Sequence, residues 1–300
     1  MTDPNALDHA IVFGAPRSGT TFLMGVVDGL PEVEGVTGNL FPIALAHLAA
    51  KTDDGEMRAL LGRSLRGALR DYADSAVYRS RPGALRKWWA ASRRPRDLPA
   101  AVRGSRTERL LAYKEPFLAF SPQLAFDALP GSRLIYLVRD GRDVADSLVR
   151  KYDVLSDAKL ASLETNEAPI GRLRGDICVP WWVTADEEDG FAAADQYVRA
   201  IWLWREMNAR CQELLARDDV RESGRVLTLR YEELMADPVE QGRVVAEHLG
   251  VRLSRRARLS LEQAHQRSLG IHRQRDAASI RLAEEVAAGQ LRQLGYEPAS

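Results

Sequence analysis

One stretch near the start narrows what this chain can fold into. His9–Gly14 (HAIVFG) is a short apolar run with β-branched residues, followed at once by Gly14-Ala15-Pro16-Arg17-Ser18-Gly19-Thr20-Thr21. From Thr21 to Leu30 the spacing turns helical and stops near Pro31. A strand, a glycine-bearing loop and a helix in that order form a βα unit. Successive N–H groups ahead of a helix N-terminus make a cradle for an anion. Ser18, Thr20 and Thr21 add hydroxyl donors, and Arg17 adds a planar fork that suits phosphate or sulfate oxygens. The plainer reading is a Gly/Ser turn that caps a helix and binds nothing; the Arg inside the loop and the paired threonines argue against it. The nucleotide-triphosphatase loop, G-x-x-x-x-G-K-[ST], has a Lys for the β/γ-phosphates where this chain has Thr20. A phosphotransferase would also need a carboxylate on magnesium, for which Asp140 is the available stand-in.

The rest of the chain repeats the alternation. Lys51–Tyr72 has helical spacing, with Met57, Leu60, Leu61, Leu65 and Leu69 on roughly one face. Leu110–Lys114 reads as a strand stopped by Pro116, and Arg133–Val138 (RLIYLV) has the unbroken apolar character of a strand covered on both faces. Helices are expected over Asp143–Tyr152, Asp195–Ala216, Val239–Leu249 and Ile280–Leu294, and a strand over Arg225–Leu229. The pattern predicts an α/β fold, a P-loop-like central parallel sheet flanked by helices, in a single domain covering 1–300. Two stretches lack periodicity: Arg79–Arg109, rich in Arg, Pro and Ser and carrying Trp88 and Trp89, reads as a mobile or surface segment, and 156–190 reads as an insertion or lid.

Composition removes other classes. The 42 basic and 42 acidic residues cancel, which argues against a protein-wide field for nucleic acid. Two cysteines, Cys178 and Cys211, make neither a disulfide framework nor a zinc site, and the five histidines show no H-x-x-x-H pairing, so no metal is expected. Apolar runs such as Leu134–Val138 are too short to span a bilayer and no secretory leader is visible, so the chain reads as cytoplasmic without stable membrane insertion. Oligomeric state is left open.

A second motif joins the first. In Leu134–Tyr152 (LIYLVRDGRDVADSLVRKY), Arg139 ends a strand and Ser147 follows eight residues on, a little over two helical turns. The carboxyl ends of strands in open α/β sheets are where ligands bind, although Arg-Asp-Gly-Arg-Asp also makes a good solvated turn. GAPRSGTTFL resembles the 5′-phosphosulfate loop of sulfotransferases that use 3′-phosphoadenosine 5′-phosphosulfate (PAPS). The Pro-Arg-Ser-Gly-Thr-Thr form is similar to that of tyrosylprotein sulfotransferases and many bacterial members, whereas cytosolic members carry Lys at the position of Arg17. Arg139 and Ser147 resemble the same family's 3′-phosphate motif. Leu229-Arg230-Tyr231-Glu232-Glu233-Leu234 with Asp237-Pro238 looks like its R-Y-E-x-L…P segment, whose Tyr contacts the cofactor. Ser268-Leu269-Gly270 with Arg273 and Arg275 is similar to the late S-x-G…R stretch that closes over the 3′-phosphate, and Gln290–Pro298 to the usual C-terminal end. The plainer readings are a half-buried core tyrosine for Tyr231 and solvated arginines at 273 and 275.

The resemblance implies transfer of a sulfuryl group from PAPS, leaving adenosine 3′,5′-bisphosphate, by in-line displacement without a metal. It implies a donor site of Arg17, Ser18, Gly19, Thr20, Thr21, Arg139, Ser147, Tyr231, Ser268, Gly270, Arg273 and Arg275. Arg17 and Lys114 are the catalytic candidates, Lys114 because Tyr113-Lys114-Glu115-Pro116-Phe117 is similar to the N-K-D-P-F stretch of tyrosylprotein sulfotransferases. The base departs from the family. Pro116 stands where cytosolic members have His, and the Glu of the tyrosylprotein enzymes falls near Thr37 or Gly38. Glu115, His47 and Glu34 remain as candidates, with Glu115 expected on the strand face opposite Lys114.

Segments 40–110 and 155–200 are expected to hold the acceptor side or a lid. The acceptor would be a hydroxyl or amine of a small molecule, lipid or sugar, aromatic or glycosylated, as in a tailoring step of bacterial secondary metabolism. Trp181, Trp182, Trp202 and Trp204 read as core or lid packing sooner than as an acceptor platform, and Asp186–Asp189 as a solvated loop. The rival readings are a P-loop phosphotransferase or kinase, and a nucleotide-binding protein of PAPS fold that has lost its chemistry.

Overall fold

A computed structural model describes residues 8–30, 33–36, 38–74, 110–161 and 171–296. The stretch with Trp88 and Trp89, Thr37, and the end of the Gln290–Pro298 match lie outside the described residues.

The chain divides into two compact units. The first, residues 1–14, 19–138 and 210–266, contains a five-stranded sheet in the order β2-β3-β1-β4-β7. Its strands are β1 (Asp8–Phe13), β2 (Val33–Gly35), β3 (Leu110–Lys114), β4 (Arg133–Val138) and β7 (Val226–Arg230), and every neighbouring pair is parallel. Ile11, Val12, Leu111, Ala112 and Leu134–Leu137 are buried, which is why these strands read as unbroken apolar runs. β1 lies between β3 and β4, so the chain fills one side of β1 and then crosses to the other. That reversal falls at β1 and β4, the two strands that lead directly into the two anion motifs. The fold class is the one expected: α/β, with a central parallel sheet flanked by helices.

Helix Gly55–Asp74 replaces the expected Lys51–Tyr72. It buries Leu61, Leu65 and Leu69, whereas Leu60 is 49% exposed. Residues 61, 65 and 69 recur every fourth position on one stripe, and Leu60 stands a full 100° away from Leu61. Helix Ile43–Lys51 and strand β2, both too short to show periodicity, were not visible in the sequence.

The second unit comprises residues 15–18, 139–209 and 267–300. Its helix Gly141–Lys151 starts two residues before the expected Asp143, because Asp140 caps it by accepting from Arg142 N–H at 2.9 Å. The aperiodic 156–190 stretch contains an antiparallel hairpin, β5 (Gly171–Arg174) with β6 (Ile177–Pro180). Arg199, buried on helix Gln196–Ala216, donates to the carbonyls of Leu155 (3.0 Å), Phe191 (3.0 Å) and Ala192 (2.6 Å) and to Asp157 (2.6 Å). One guanidinium thus satisfies backbone acceptors on both flanks of the hairpin region. Trp182 and Trp202 pack edgewise on Phe191, each at 5.6 Å, and Trp204 is fully buried, in keeping with the packing reading.

The acidic run is a solvated loop only in part: Asp186 and Asp189 are exposed, whereas its two glutamates are engaged. Glu188 is 4% exposed and paired with both Arg172 and Arg174, and Glu187 is bonded to Arg205 at 2.6 Å. The Arg205 guanidinium lowers the Glu187 carboxyl to about 2. Three arginines, from the hairpin and from helix Gln196–Ala216, supply the charge that lets Glu188 leave water and Glu187 leave it in part.

Candidate active site

The loop after β1 turns through three left-handed residues: Gly14 (φ 148°), Arg17 (φ 75°) and Gly19 (φ 98°). A side chain at Gly14 would put Cβ 2.2 Å from the Leu137 carbonyl oxygen, and one at Gly19 would put it 2.5 Å from the Tyr231 ring, so both glycines are required by contact as well as by backbone. Tyr231, buried, is thereby set against the last loop residue. Among the described residues Arg17 is the one non-glycine with positive φ, a conformation that costs on the order of 1–2 kcal/mol and concentrates at functional sites. Helix Thr20–Val27 has Gly19 as its N-cap, a residue with no side chain to cap the first-turn N–H groups. Thr20 is buried, Thr21 is exposed, and Ser18 is 1% exposed, with its Oγ bonded to nothing among the described residues.

The second unit gathers most of the remaining donor-site candidates. Arg17 Nε donates to Ser147 Oγ at 3.1 Å, and its guanidinium lies 5.8 Å from the centre of the Tyr152 ring. Arg139, 3% exposed, donates from Nη1 to the Arg17 carbonyl at 3.1 Å and from Nη2 to the Ser268 carbonyl. Trp204 Nε1 holds the Arg139 carbonyl at 3.0 Å. Gly270 N–H donates to Asp143 at 2.8 Å, and Arg275 donates to Asp146 while its guanidinium lies 4.4 Å from the centre of the Tyr197 ring. Arg275 is therefore engaged, whereas Arg273 is exposed, as the plainer reading expected.

Sequence reasoning gave no site role to Asp143, Asp146, His272 or Tyr197, and read Trp204 as packing. The first two carried a usable signal: with Ser147 at positions 143, 146 and 147, they share one face of a helix. Asp140 caps that helix and pairs with Arg142 at 2.7 Å, so the carboxylate a phosphotransferase would place on magnesium is committed elsewhere.

The catalytic candidates of the first unit lie on β3 and on the elements beside it. Lys114, half-buried, pairs in register with Val12, two residues before the loop begins. Tyr113 and Glu115 take the opposite face of the strand, as alternation requires. Glu115, 5% exposed, accepts from Phe117 N–H at 3.0 Å through Oε1, and its Oε2 lies 3.4 Å from the Tyr113 hydroxyl. Asn39, turned so that its nitrogen faces acceptors, donates to the same Oε2 at 3.3 Å. Burial raises the Glu115 carboxyl above the usual range and outweighs these hydrogen bonds. His47 is buried 4.7 Å from the Phe120 ring, and burial pushes its pKa down to about 4, leaving a neutral imidazole. Glu34 on β2 pairs in register with Leu111, on the β3 face that Tyr113 and Glu115 share.

Among the described residues no group of three or more His, Cys, Asp or Glu could hold a metal ion, and no helix is long and apolar enough to cross a membrane.

A parallel sheet whose central strand runs into a glycine-bearing loop and then a helix, and whose next strand is followed by a buried arginine, has the P-loop-like fold. The pattern of the Sulfotransferase family matches residues 10–174, more than half of the chain. The chain belongs to the Sulfotransferase family. Among solved structures it is similar to the sulfotransferase domain from the curacin biosynthetic pathway, with a TM-score of 0.51, 16% identity, and coverage of 98% of this chain and 99% of that one. It is also similar to a sulfotransferase from Alicyclobacillus acidocaldarius, with a TM-score of 0.50, 15% identity, and coverage of 96% and 94%. At such identities the likeness speaks for the fold.

Proposed function

We propose that residues 1–300 act as one PAPS-dependent sulfotransferase domain, moving a sulfuryl group to a hydroxyl or amine of a small-molecule, lipid or sugar acceptor. The observation that carries this is the convergence of Arg17, Arg139, Ser147 and the Ser268–Arg275 segment in one hydrogen-bonded cluster, drawn from three separate parts of the chain. The buried, unbonded Ser18 hydroxyl fits a donor whose phosphosulfate enters the loop, since an unsatisfied buried hydroxyl otherwise costs about 1–3 kcal/mol.

In this reading the loop N–H groups, Ser18, Gly19, Thr20 and Thr21 hold the 5′-phosphosulfate, and Tyr231 lines the loop. Arg139, Ser147, Gly270, Arg273 and Arg275 hold the 3′-phosphate side. Arg17 stabilises the negative charge that grows on the bridging oxygen as the S–O bond to the nucleotide breaks, and Lys114 is the second candidate for that role. The acceptor oxygen forms the new bond to sulfur, the old bonding pair leaves on adenosine 3′,5′-bisphosphate, and the acceptor proton passes to a carboxylate. Glu115 is that base: a general base works best with a pKa near the working pH, and burial moves Glu115 towards it while moving His47 away. No metal is called for. Segments 40–110 and 155–200 supply the acceptor side in this reading, and the reaction is a tailoring step, in line with the biosynthetic pathway of the curacin neighbour. The test is release of adenosine 3′,5′-bisphosphate from PAPS in EDTA with a panel of phenols, alcohols and amines. Acceptor-dependent release supports the reading. No release with any acceptor, beside tight nucleotide binding, would make the chain a binder.

A further inference from the structure

Asp143 does more than the motif around it requires. Its carboxylate is buried on helix Gly141–Lys151, one turn before Ser147. Oδ2 accepts from Gly270 N–H at 2.8 Å, and Oδ1 accepts from His272 N–H at 3.2 Å. His272 Nδ1 lies 2.6 Å from Oδ1, and because a carboxylate can only accept, Nδ1 is the protonated nitrogen. The same Oδ2 is 3.7 Å from Arg139 Nη2, which donates to the Ser268 carbonyl. Burial works to raise the Asp143 carboxyl, but the His272 ring and the two backbone amides win and hold it below the usual carboxylate range. Three residues along the helix, Asp146 repeats the device, bonding Arg275 on one oxygen and Arg150 at 2.6 Å on the other.

A segment that runs from Ser268 to Arg275 without an α-helix or strand of its own is therefore fastened to the helix that carries Ser147. The geometry points to Asp143 as the positioning residue that sets the Ser268–Arg275 segment against Arg139 and so gives the nucleotide site its preference for a 3′-phosphate. This rests on the donor-site reading above. Two effects of Asp143 oppose each other. Its negative charge beside Arg139 weakens the local attraction for phosphate, whereas its hydrogen bonds place the donors that phosphate needs. The inference is that placement wins, because one carboxylate organises three donors and an arginine at once, and hydrogen bonds to a charged group are the strong ones.

The experiment is calorimetric titration with adenosine 3′,5′-bisphosphate and with adenosine 5′-phosphate, taking the ratio of the two affinities. In Asp143→Asn the second oxygen becomes an NH2 group facing donors. The expected result is a roughly ten- to hundredfold fall in the ratio through weaker bisphosphate binding, with the monophosphate changed by less than about threefold. Amide hydrogen exchange should quicken at 268–275. Should Asp143→Asn fail to fold, His272→Ala removes one donor only and should lower the ratio in the same direction, while His272→Asn, whose amide nitrogen falls near the place of Nδ1, should restore it. A variant that binds the bisphosphate as tightly as the parent, or more tightly, would overturn the inference, since relieved repulsion would then outweigh placement. A parent with no 3′-phosphate preference would overturn the donor-site reading and this inference together.

Discussion

The Arg139 cluster and the Glu115 cluster handle charge in opposite ways. Around Arg139 nearly every charged group meets an opposite charge or a carbonyl: Arg139 with Asp143 and Ser268, Arg275 with Asp146, Arg142 with Asp140 and Glu284. Around Glu115 a single carboxyl is enclosed by Tyr113, Phe117 and Asn39, with His47 kept neutral among phenylalanine rings. The first arrangement fixes cations in place, as the proposed binding of a polyanion requires. The second buries a carboxyl whose proton affinity is raised despite its hydrogen bonds, as the proposed removal of a proton requires. Binding by charge and reaction by proton transfer call for different environments, and the proposed roles of Arg139 and Glu115 differ in the same way.

This contrast can be tested by removing one feature at a time. Glu115→Gln keeps the acceptor for Phe117 N–H and deletes the titrating group. Turnover should fall by roughly 10²–10⁴ while bisphosphate affinity is unchanged, and a variant with parental turnover would return the base to Glu34 or His47. Arg17→Ala should lower turnover by about 10²–10³, the usual cost of one lost charge-stabilising donor. Because Arg17 also bonds Ser147, a modest loss of nucleotide affinity should accompany it.

The neutral state of His47 predicts an acid limb in stability. Its folded pKa of about 4 lies below the unfolded value of 6.5, so the unfolded chain binds the extra proton between the two, and stability drains as pH falls from about 6.5 to about 4. The full effect is about 3 kcal/mol at 1.36 kcal/mol per pKa unit. His47→Phe should flatten that limb relative to the parent in urea titrations at pH 7 and pH 4.5; an unchanged difference would mean that the imidazole is not held neutral. Ser18→Ala should be the mildest change, costing the nucleotide one neutral hydrogen bond, about 1 kcal/mol or fivefold in affinity. If affinity is unaffected, the buried hydroxyl does not face the donor.

How much of this could be read from the chain depended on how local the signal was. The loop and the Arg139…Ser147 pair are short motifs that each follow a strand with an unbroken apolar run, and the expected strand and helix flank each of them. β2 has three residues and helix Ile43–Lys51 nine, too few for a period to emerge from neighbouring loops. The acidic run at 186–189 misled because its partners, Arg172, Arg174 and Arg205, are brought to it only by the hairpin and by helix Gln196–Ala216. Asp143 and His272, 129 residues apart, illustrate the same limit from the other side. Each is an ordinary residue in its own segment, and only the fold makes them a pair.

The central claim is that the clustered arginines bind a nucleotide with a 3′-phosphate. Calorimetric titration of the protein with adenosine 3′,5′-bisphosphate in EDTA, beside ATP with magnesium, tests it most directly. The account predicts micromolar-range binding of the bisphosphate that weakens sharply when the 3′-phosphate is removed. Tighter binding of ATP with magnesium, and indifference to the 3′-phosphate, would contradict it.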